Sequence, residues 1–389
     1  MKNPKNEFKL KPEDKLILSC GHSQVNEELE KKIMKLVNLD LDWEYIVDMA
    51  TRHRLKPLLY YNLNKICPDN VPEDVLESLK EFYHSNVQKN LMMTGELVKV
   101  MKLLEKNGVN AITYKGPVLA QMAYGNVGLR EFGDLDILVD KSDALKVIEI
   151  MAQTDYELYP SINIEDSFYL RFVTEHQFVH RNSGVIIEIK CKFAGDFFTF
   201  PADSSFLTND IINTDLNGFK VNNFSPDNQL LILAIHAGKH DWTRISWIMD
   251  ITNYIKQHPV NWEYCMNKAE KLGVRKILLI NLYLAWDLWG LELPNDILKQ
   301  IDSDKSIKKI SYQIEKRFFQ KKDLNIFGKL SYNLKKRDKL IYGIKDSING
   351  LTKPGYRDFT DIPLPESFFR FYHLLRPFLL LKRYGKEPV

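Results

Sequence analysis

Two aspartates alternate with apolar residues in the segment Gly133–Val139, which reads Gly-Asp-Leu-Asp-Ile-Leu-Val. Side chains switch faces at every residue of an extended chain, so a strand here places Asp134 and Asp136 on one face. Leu135 and Ile137 then share the opposite face. Two neighbouring carboxylates on a strand backed by a core are costly unless a positive group lies between them. Mg²⁺ fits this role, because proteins usually hold it by one or two carboxylates together with substrate phosphates.

Hydrophobic patterning predicts strands around this segment and helices on both sides of it. Apolar runs at Ala111–Tyr114, Glu175–His180 and Val185–Lys190 are typical of strands, and a short polar turn between the last two predicts a hairpin. Apolar residues at helical spacing fill Asn26–Gly108 and much of the chain from Ser225 onward. The predicted fold class is α+β, with a small mixed-sheet core, 109–224, between an N-terminal helical domain, 1–108, and a C-terminal helical domain, 225–389.

A Lys115-Gly116-Pro117 turn follows the first predicted strand and opens a helix. Proline suits the first helical turn, where its missing N–H has no intrahelical partner. A helix start of this kind presents free N–H groups and the positive end of the helix dipole, which together can bind phosphate. Lys115 would add a point charge. Taken alone, a Lys-Gly pair more often has a structural role than a functional one.

Two further charged residues near the predicted sheet allow two interpretations each. Glu188 interrupts an otherwise apolar strand, and a carboxylate there needs either a salt bridge or a metal ion. Arg130 precedes the acidic strand and is explained equally well by phosphate binding or by an ion pair with Glu131 or Asp134. The sequence alone leaves these alternatives open.

His236 and His240 are four residues apart in a predicted helix, a spacing that places two imidazoles on one face. The sequence offers no third zinc ligand near them. We therefore expect a packed or substrate-facing pair in preference to a metal site.

The chain resembles a known group of proteins at these same segments. The order of strand, Lys-Gly turn, helix, Gly-Asp-x-Asp strand and a later strand with one acid resembles the polymerase-β-like nucleotidyltransferase superfamily. The segments Tyr114–Gly116, Leu129–Arg130 and Gly133–Val139 are similar to the bacterial family described as uncharacterised nucleotidyltransferase. Lys190 is a departure, since the family often has histidine there. The resemblance extends to 53–60, 187–189 and 236–250.

This resemblance implies roles for the candidate site residues. Asp134, Asp136 and Glu188 would be catalytic metal ligands for two Mg²⁺ ions roughly 3.5–4 Å apart. One ion would hold the triphosphate of an NTP, and the other would lower the pKa of the attacking hydroxyl. The residues implied in binding the nucleotide phosphates are Lys115, Gly116, Arg130 and Gly133, with His236 and His240 as further candidates for substrate contact.

The implied activity is Mg²⁺-dependent transfer of a nucleoside monophosphate from NTP to a small-molecule or peptide acceptor, with release of pyrophosphate. One alternative is a toxin-type nucleotidyltransferase acting on tRNA, which would use the lysine-rich stretch 305–345 to bind RNA. Another is a non-catalytic nucleotide-binding scaffold. The three acids argue against the scaffold, and a solvated surface explains the lysines better than a nucleic-acid groove does.

Overall composition adds few constraints. The net charge of +3 does not mark a nucleic-acid-binding protein. The four cysteines lie far apart without a CxxC pair, which favours reduced thiols over disulfides or a zinc site. The polar N-terminus does not resemble a signal peptide, and no apolar run reaches transmembrane length. We therefore expect a cytoplasmic protein without a transmembrane segment.

Overall fold

A computed structural model gives the fold and describes residues 9–161, 169, 172–195, 198–200, 208, 210–216, 218–320 and 326–384 of the 389-residue chain. Residues 1–8, on which the prediction about a signal peptide partly depends, lie outside these ranges. So do residues 321–325 of the lysine-rich stretch. Within the described ranges the strands form two sheets, and helices flank them on both sides in sequence. The predicted α+β class is therefore confirmed.

The larger sheet has five strands in the spatial order β1-β2-β5-β4-β3. Its central pair, β2 and β5, is parallel, and the other neighbours are antiparallel, so the sheet is mixed. A separate antiparallel hairpin consists of β6 and β7. The strands are β1 (Ile112–Thr113), β2 (Asp134–Leu138), β3 (Tyr156–Tyr159), β4 (Glu175–His180), β5 (Ile186–Lys190), β6 (Ile211–Leu216) and β7 (Phe219–Phe224).

The apolar face of this sheet packs against two helices. Leu135 and Ile137 of β2 and Ile187 of β5 are fully buried, as the period-two pattern predicts. They belong to a core that includes residues from the C-terminal half of α5 (Glu73–Lys106) and from α7 (Ala144–Ala152). The opposite face of β2 and β5 is left for the polar side chains.

Helices before the sheet account for the N-terminal region. Asp42 caps α3, because its side chain accepts a hydrogen bond from the Tyr45 amide. The segment from Glu73 to Lys106 is one helix of 34 residues. The helices of this region are α1 (Pro12–Cys20), α2 (Glu27–Val37), α3 (Trp43–Arg52), α4 (Lys56–Ile66) and α5; α6 (Gly116–Tyr124) lies between β1 and β2.

Helices after the hairpin share a core with those at the start of the chain. Leu16 of α1 and Leu58 of α4 belong to the same buried cluster as Leu230, Ile248 and Ile307. Helices of the N-terminal region and helices between residues 226 and 320 therefore stabilise each other. These helices are α8 (Pro226–Lys239), α9 (Ile245–Gln257), α10 (Trp262–Lys271), α11 (Arg275–Trp289), α12 (Asn295–Ser303), α13 (Lys305–Gln320), α14 (Ile326–Lys336), α15 (Leu340–Thr352), α16 (Tyr356–Asp361) and α17 (Tyr372–Tyr384).

Candidate active site

The three predicted carboxylates lie on one face of the five-stranded sheet. Asp136 on β2 is directly opposite Glu188 on the parallel strand β5. Asp134 precedes Asp136 by two residues and so lies on the same face. The alternation in the sequence, combined with this register, brings the carboxylates together on the side away from the buried leucine and isoleucine side chains.

Two lysines form ion pairs with Asp136 and Glu188. Lys190 Nζ lies 2.6 Å from Asp136 Oδ1 and 2.8 Å from Glu188 Oε2. Lys115 Nζ lies 3.3 Å from Asp136 Oδ2. Sequence reasoning treated Lys190 only as a departure from the family pattern and missed its place in the site. The signal was available, because a residue two positions after Glu188 on a strand shares its face.

Burial and neighbouring charge act in opposite directions on these acids. Burial raises the pKa of Asp136, but the Lys115 and Lys190 ammonium groups outweigh it and lower that pKa to about 2. Burial raises the pKa of Asp134, and the other two carboxylates add to the rise. Burial also raises the pKa of Glu188 against the opposing effect of Lys190. Asp136 is thus the firmly ionised member, while an added cation would stabilise the charged form of Asp134.

The Lys-Gly turn brings a helix N-terminus beside the acidic strand. Lys115 directly precedes α6, and Gly116 begins it with φ of +54°, a conformation other residues rarely adopt. A Cβ on Gly116 would lie 3.4 Å from the Asp134 carbonyl oxygen. Gln229 of α8 donates a hydrogen bond to the Tyr114 carbonyl at 2.6 Å and so fixes the end of β1. The positive end of α6 is therefore held next to β2, where it can attract an anion.

Gly133 lies exposed immediately before β2. A Cβ there would meet no atom within 4 Å of the described residues, and its backbone is outside the left-handed region. Neither packing nor backbone conformation in this part of the structure explains the glycine. An open backbone beside Asp134 is a place where a ligand can approach closely.

Arg130 is an ion-pair partner in this structure, and the partner is not one that the sequence suggested. Its Nε and Nη2 donate to Asp250 Oδ1 and Oδ2 at 2.9 and 3.0 Å, and Tyr124 Oη donates to Asp250 Oδ1 at 2.8 Å. The expected pairing with Glu131 or Asp134 is therefore wrong. Because the planar guanidinium is held in a two-point pair with a buried carboxylate, it is not presented to the cleft as a free phosphate ligand.

Two asparagines of α5 fix the loop that leads into the acidic strand. Asn90 Nδ2 donates to the carbonyl oxygens of Val127 and Arg130 at 2.7 and 2.8 Å. Asn86 Nδ2 donates to the Gly128 carbonyl at 3.0 Å. Both asparagines are buried. They were absent from the sequence prediction, since buried asparagines in a long helix carry no distinctive local pattern.

The two histidines at the C-terminal end of α8, His236 within it and His240 just after it, pack with an aromatic side chain. Their ring centroids are 4.7 Å apart, and those of His236 and His240 lie 5.2 and 5.4 Å from the Trp247 centroid. The guanidinium carbon of Arg244 lies over the same indole, 5.5 Å from its centroid. Burial lowers the pKa of His240 to about 3 and that of His236 well below its usual value, and the nearby Lys115 charge adds to both effects. Both imidazoles are therefore neutral at pH 7.

A second set of basic residues acts on the acids at the start of β2. The charges of Arg54, Lys89 and Arg244 act on Glu131 or Asp134, and Arg54 and Arg244 are half-buried while Lys89 is exposed. None of the three is in an ion pair with a carboxylate of the described chain. Arg54 also has φ of +57°, a strained conformation for a residue with a side chain.

Among the residues that the structure describes, no group of three His, Cys, Asp or Glu side chains is arranged to hold a metal ion. Lys190 Nζ already lies between Asp136 and Glu188. The donors that fit a hard divalent ion are Asp134 and Asp136, neighbours on one strand face, with substrate oxygens completing the shell. The site therefore suits an ion that arrives with a nucleotide better than one bound by protein alone.

A cavity of about 610 Å³ opens elsewhere, beyond the C-terminal ends of β2 and β5. Its lining includes Leu138, Asp140, Cys191 and Phe198, and none of the three candidate carboxylates. The candidate carboxylates therefore do not line this cavity, although Leu138 and Cys191 lie one or two residues from Asp136 and Lys190 along the chain.

The mixed sheet, its acidic strand pair and the adjoining Lys-Gly helix start define an enzyme of the nucleotidyltransferase class. More particularly, the chain belongs to the uncharacterised nucleotidyltransferase family, whose profile matches residues 39–290. That range contains every candidate site residue. No curated protein matches the chain significantly. Across the described ranges, every helix is too short or too polar to cross a membrane.

Proposed function

We propose that the protein transfers a nucleoside monophosphate from an NTP to a small-molecule or peptide acceptor, with release of pyrophosphate, in an Mg²⁺-dependent reaction. The observation that carries the proposal is the placement of Asp134, Asp136 and Glu188 on one sheet face beside the N-terminus of α6. Such a face offers oxygen ligands, and the helix end offers an anion site next to them.

Asp134 and Asp136 would hold the ion together with triphosphate oxygens. When bound, the ion would neutralise the phosphates and polarise the phosphorus under attack. The Asp136 carboxylate supports this role because its pKa is lowered to about 2, so it stays ionised at neutral pH. The exposed backbone at Gly133 leaves room for the phosphates to approach the start of β2.

The surrounding cations would orient the triphosphate. Lys115 and the N-terminus of α6 lie on one side of β2, where they can stabilise the charge that develops on the leaving pyrophosphate. The charges of Arg54, Lys89 and Arg244 also act on Asp134 or Glu131. Several positive charges around the acids favour in-line positioning of the donor, since the reaction depends mainly on orientation and charge neutralisation.

The neutral His236 and His240 pair, which packs against Trp247 edge-on and at a tilt respectively, would form the acceptor side of the site. Neutral imidazoles can accept or donate one hydrogen bond each, and the indole offers an apolar face. This lining favours a hydroxylated small molecule or a peptide side chain over a polyanion.

The proposal is tested by incubating the full chain with α-labelled NTPs, Mg²⁺ and cell extract, then identifying adducts by mass spectrometry. We expect an acceptor that gains the mass of a nucleoside monophosphate, with activity lost on chelation and restored by Mg²⁺. Asp136→Asn should abolish the adduct, while the exposed Asp296→Asn should not. An adduct that forms equally with Asp136→Asn, or no adduct from any NTP, would contradict the proposal. Labelling confined to tRNA would instead favour the RNA-modifying alternative.

A further inference from the structure

The position of Lys190 carries an inference about the number of metal ions that this site can use. Its ammonium lies within 2.8 Å of one oxygen of Asp136 and one of Glu188. These residues face each other across the parallel pair β2 and β5. A cation that bridges the two strands would therefore have to lie at the point that the ammonium already occupies.

The ammonium is fixed there by the fold. Lys190 is a strand residue paired with Leu138, and its carbonyl accepts a hydrogen bond from the Val139 amide at 2.9 Å. Strand alternation directs its side chain to the same face as Glu188. Only 10% of that side chain is exposed. Since both its backbone and its head group are held, Lys190 behaves as a permanent part of the site.

One of the three carboxylates is left for a further cation. Asp134 makes no ion pair among the described side chains, whereas Asp136 already contacts two ammonium groups. Asp134, with Asp136 two residues further along the same strand face, is thus left to hold an ion carried by a triphosphate.

We propose that Lys190 takes the place of one of the two metal ions expected for this class, so that the protein uses a single divalent ion, held by Asp134 and Asp136. The inference rests on the proposed function for the role of that ion. The bridging position between Asp136 and Glu188 is served by the ammonium, which supplies one positive charge without a need for metal.

The test measures Mn²⁺ binding to the full chain by electron paramagnetic resonance, without nucleotide. Lys190→Ala should expose the Asp136–Glu188 pair and bind one more Mn²⁺ than the wild type, with affinity about tenfold or more above any wild-type site. Lys190→Arg keeps the charge and should gain no site. Lys220→Ala removes one charge from an exposed position and should also gain none. If circular dichroism shows that Lys190→Ala is unfolded, the experiment is repeated with Lys190→Gln.

A second arm adds non-hydrolysable analogues of the four NTPs. The wild type should hold one Mn²⁺ for each bound nucleotide. Two Mn²⁺ per nucleotide in the wild type, or no added site in Lys190→Ala and Lys190→Gln, would overturn the inference while leaving nucleotidyl transfer intact. A gained site without any nucleotide binding would support the role of Lys190 as a resident cation and overturn the proposed function instead.

Discussion

Asp136 and Glu188 lie directly opposite each other on parallel strands, and Lys190 bonds to both. This relationship organises the site, because the register of β2 and β5 decides which acids meet and which cation neutralises them. The same register buries Ile137 and Ile189 on the reverse face. A slip of one residue would move the acids into the core, so packing and chemistry depend on the same alignment.

Because Arg130 pairs with Asp250, we expect substitution of Arg130 to lower the stability of the fold and not simply to weaken phosphate binding. Arg130→Ala leaves the Asp250 carboxylate, only 3% exposed, without its cation. We expect the free energy of unfolding to fall by about 3–5 kcal/mol, measured by urea denaturation. Lys299→Ala, which breaks an exposed pair with Asp296, should change it by less than about 1 kcal/mol. Unchanged stability together with weakened NTP binding would restore the phosphate role.

His53 predicts a dependence of stability on pH. The ring is fully buried, with Nε2 3.0 Å from the Phe318 carbonyl and Nδ1 accepting from the Ile245 amide at 3.2 Å. Burial lowers its pKa from 6.5 to about 4, so the unfolded chain takes up a proton first as the pH falls. The histidine's contribution to stability is therefore complete above pH 6.5 and is lost between pH 6.5 and 4.

His53→Leu should remove this dependence and leave two buried polar groups unpaired, at a cost of about 2–4 kcal/mol at pH 7. Urea unfolding at pH 7 and pH 5 measures both effects. The exposed His84→Leu is the matched control and should leave the pH slope as in the wild type. A slope that His53→Leu does not reduce would show that other buried groups account for the acid sensitivity.

Gly133 predicts a change in ligand binding without a change in folding. A Cβ there contacts no atom within 4 Å, so Gly133→Ala should fold with wild-type stability. If the triphosphate approaches this backbone, its affinity should fall by about tenfold or more, as calorimetry would show. Gly350→Ala, an equally unobstructed position within α15, should leave the affinity unchanged. Equal affinities in all three proteins would place the phosphates elsewhere.

The pattern of the sequence predicted the parts of the fold that local spacing determines. The β4–β5 hairpin and the common face of Asp134 and Asp136 follow from period-two alternation. Strand β3 and the β6–β7 hairpin were missed, since their sequences, such as Phe219–Phe224, mix polar and apolar residues without a clear run. These segments form strands because they pair with partner strands that the local sequence does not reveal.

Long-range pairings account for the rest of what the sequence did not predict. Asp250 meets Arg130 only because α9 packs against the loop before β2, and no local spacing marks that pair. The charges chosen from sequence, Glu131 and Asp134, were near in the chain but not the partners. For Lys190, strand alternation in the sequence is enough to predict which face of the sheet its side chain lies on. Its contact with Asp136 could not be predicted, because that contact depends on the register between β2 and β5.

The most direct test of the central claim is calorimetric titration of the full chain with each NTP and Mg²⁺, repeated on Asp136→Ala and Asp136→Asn. The carboxylate is proposed to bind the nucleotide through the ion, so affinity should fall by about 10–100-fold in both variants while circular dichroism stays unchanged. The same titration without Mg²⁺ should show equally weak binding in all proteins. Tight, Mg²⁺-dependent binding that is equal in the wild type and both variants would contradict a nucleotide site at this strand.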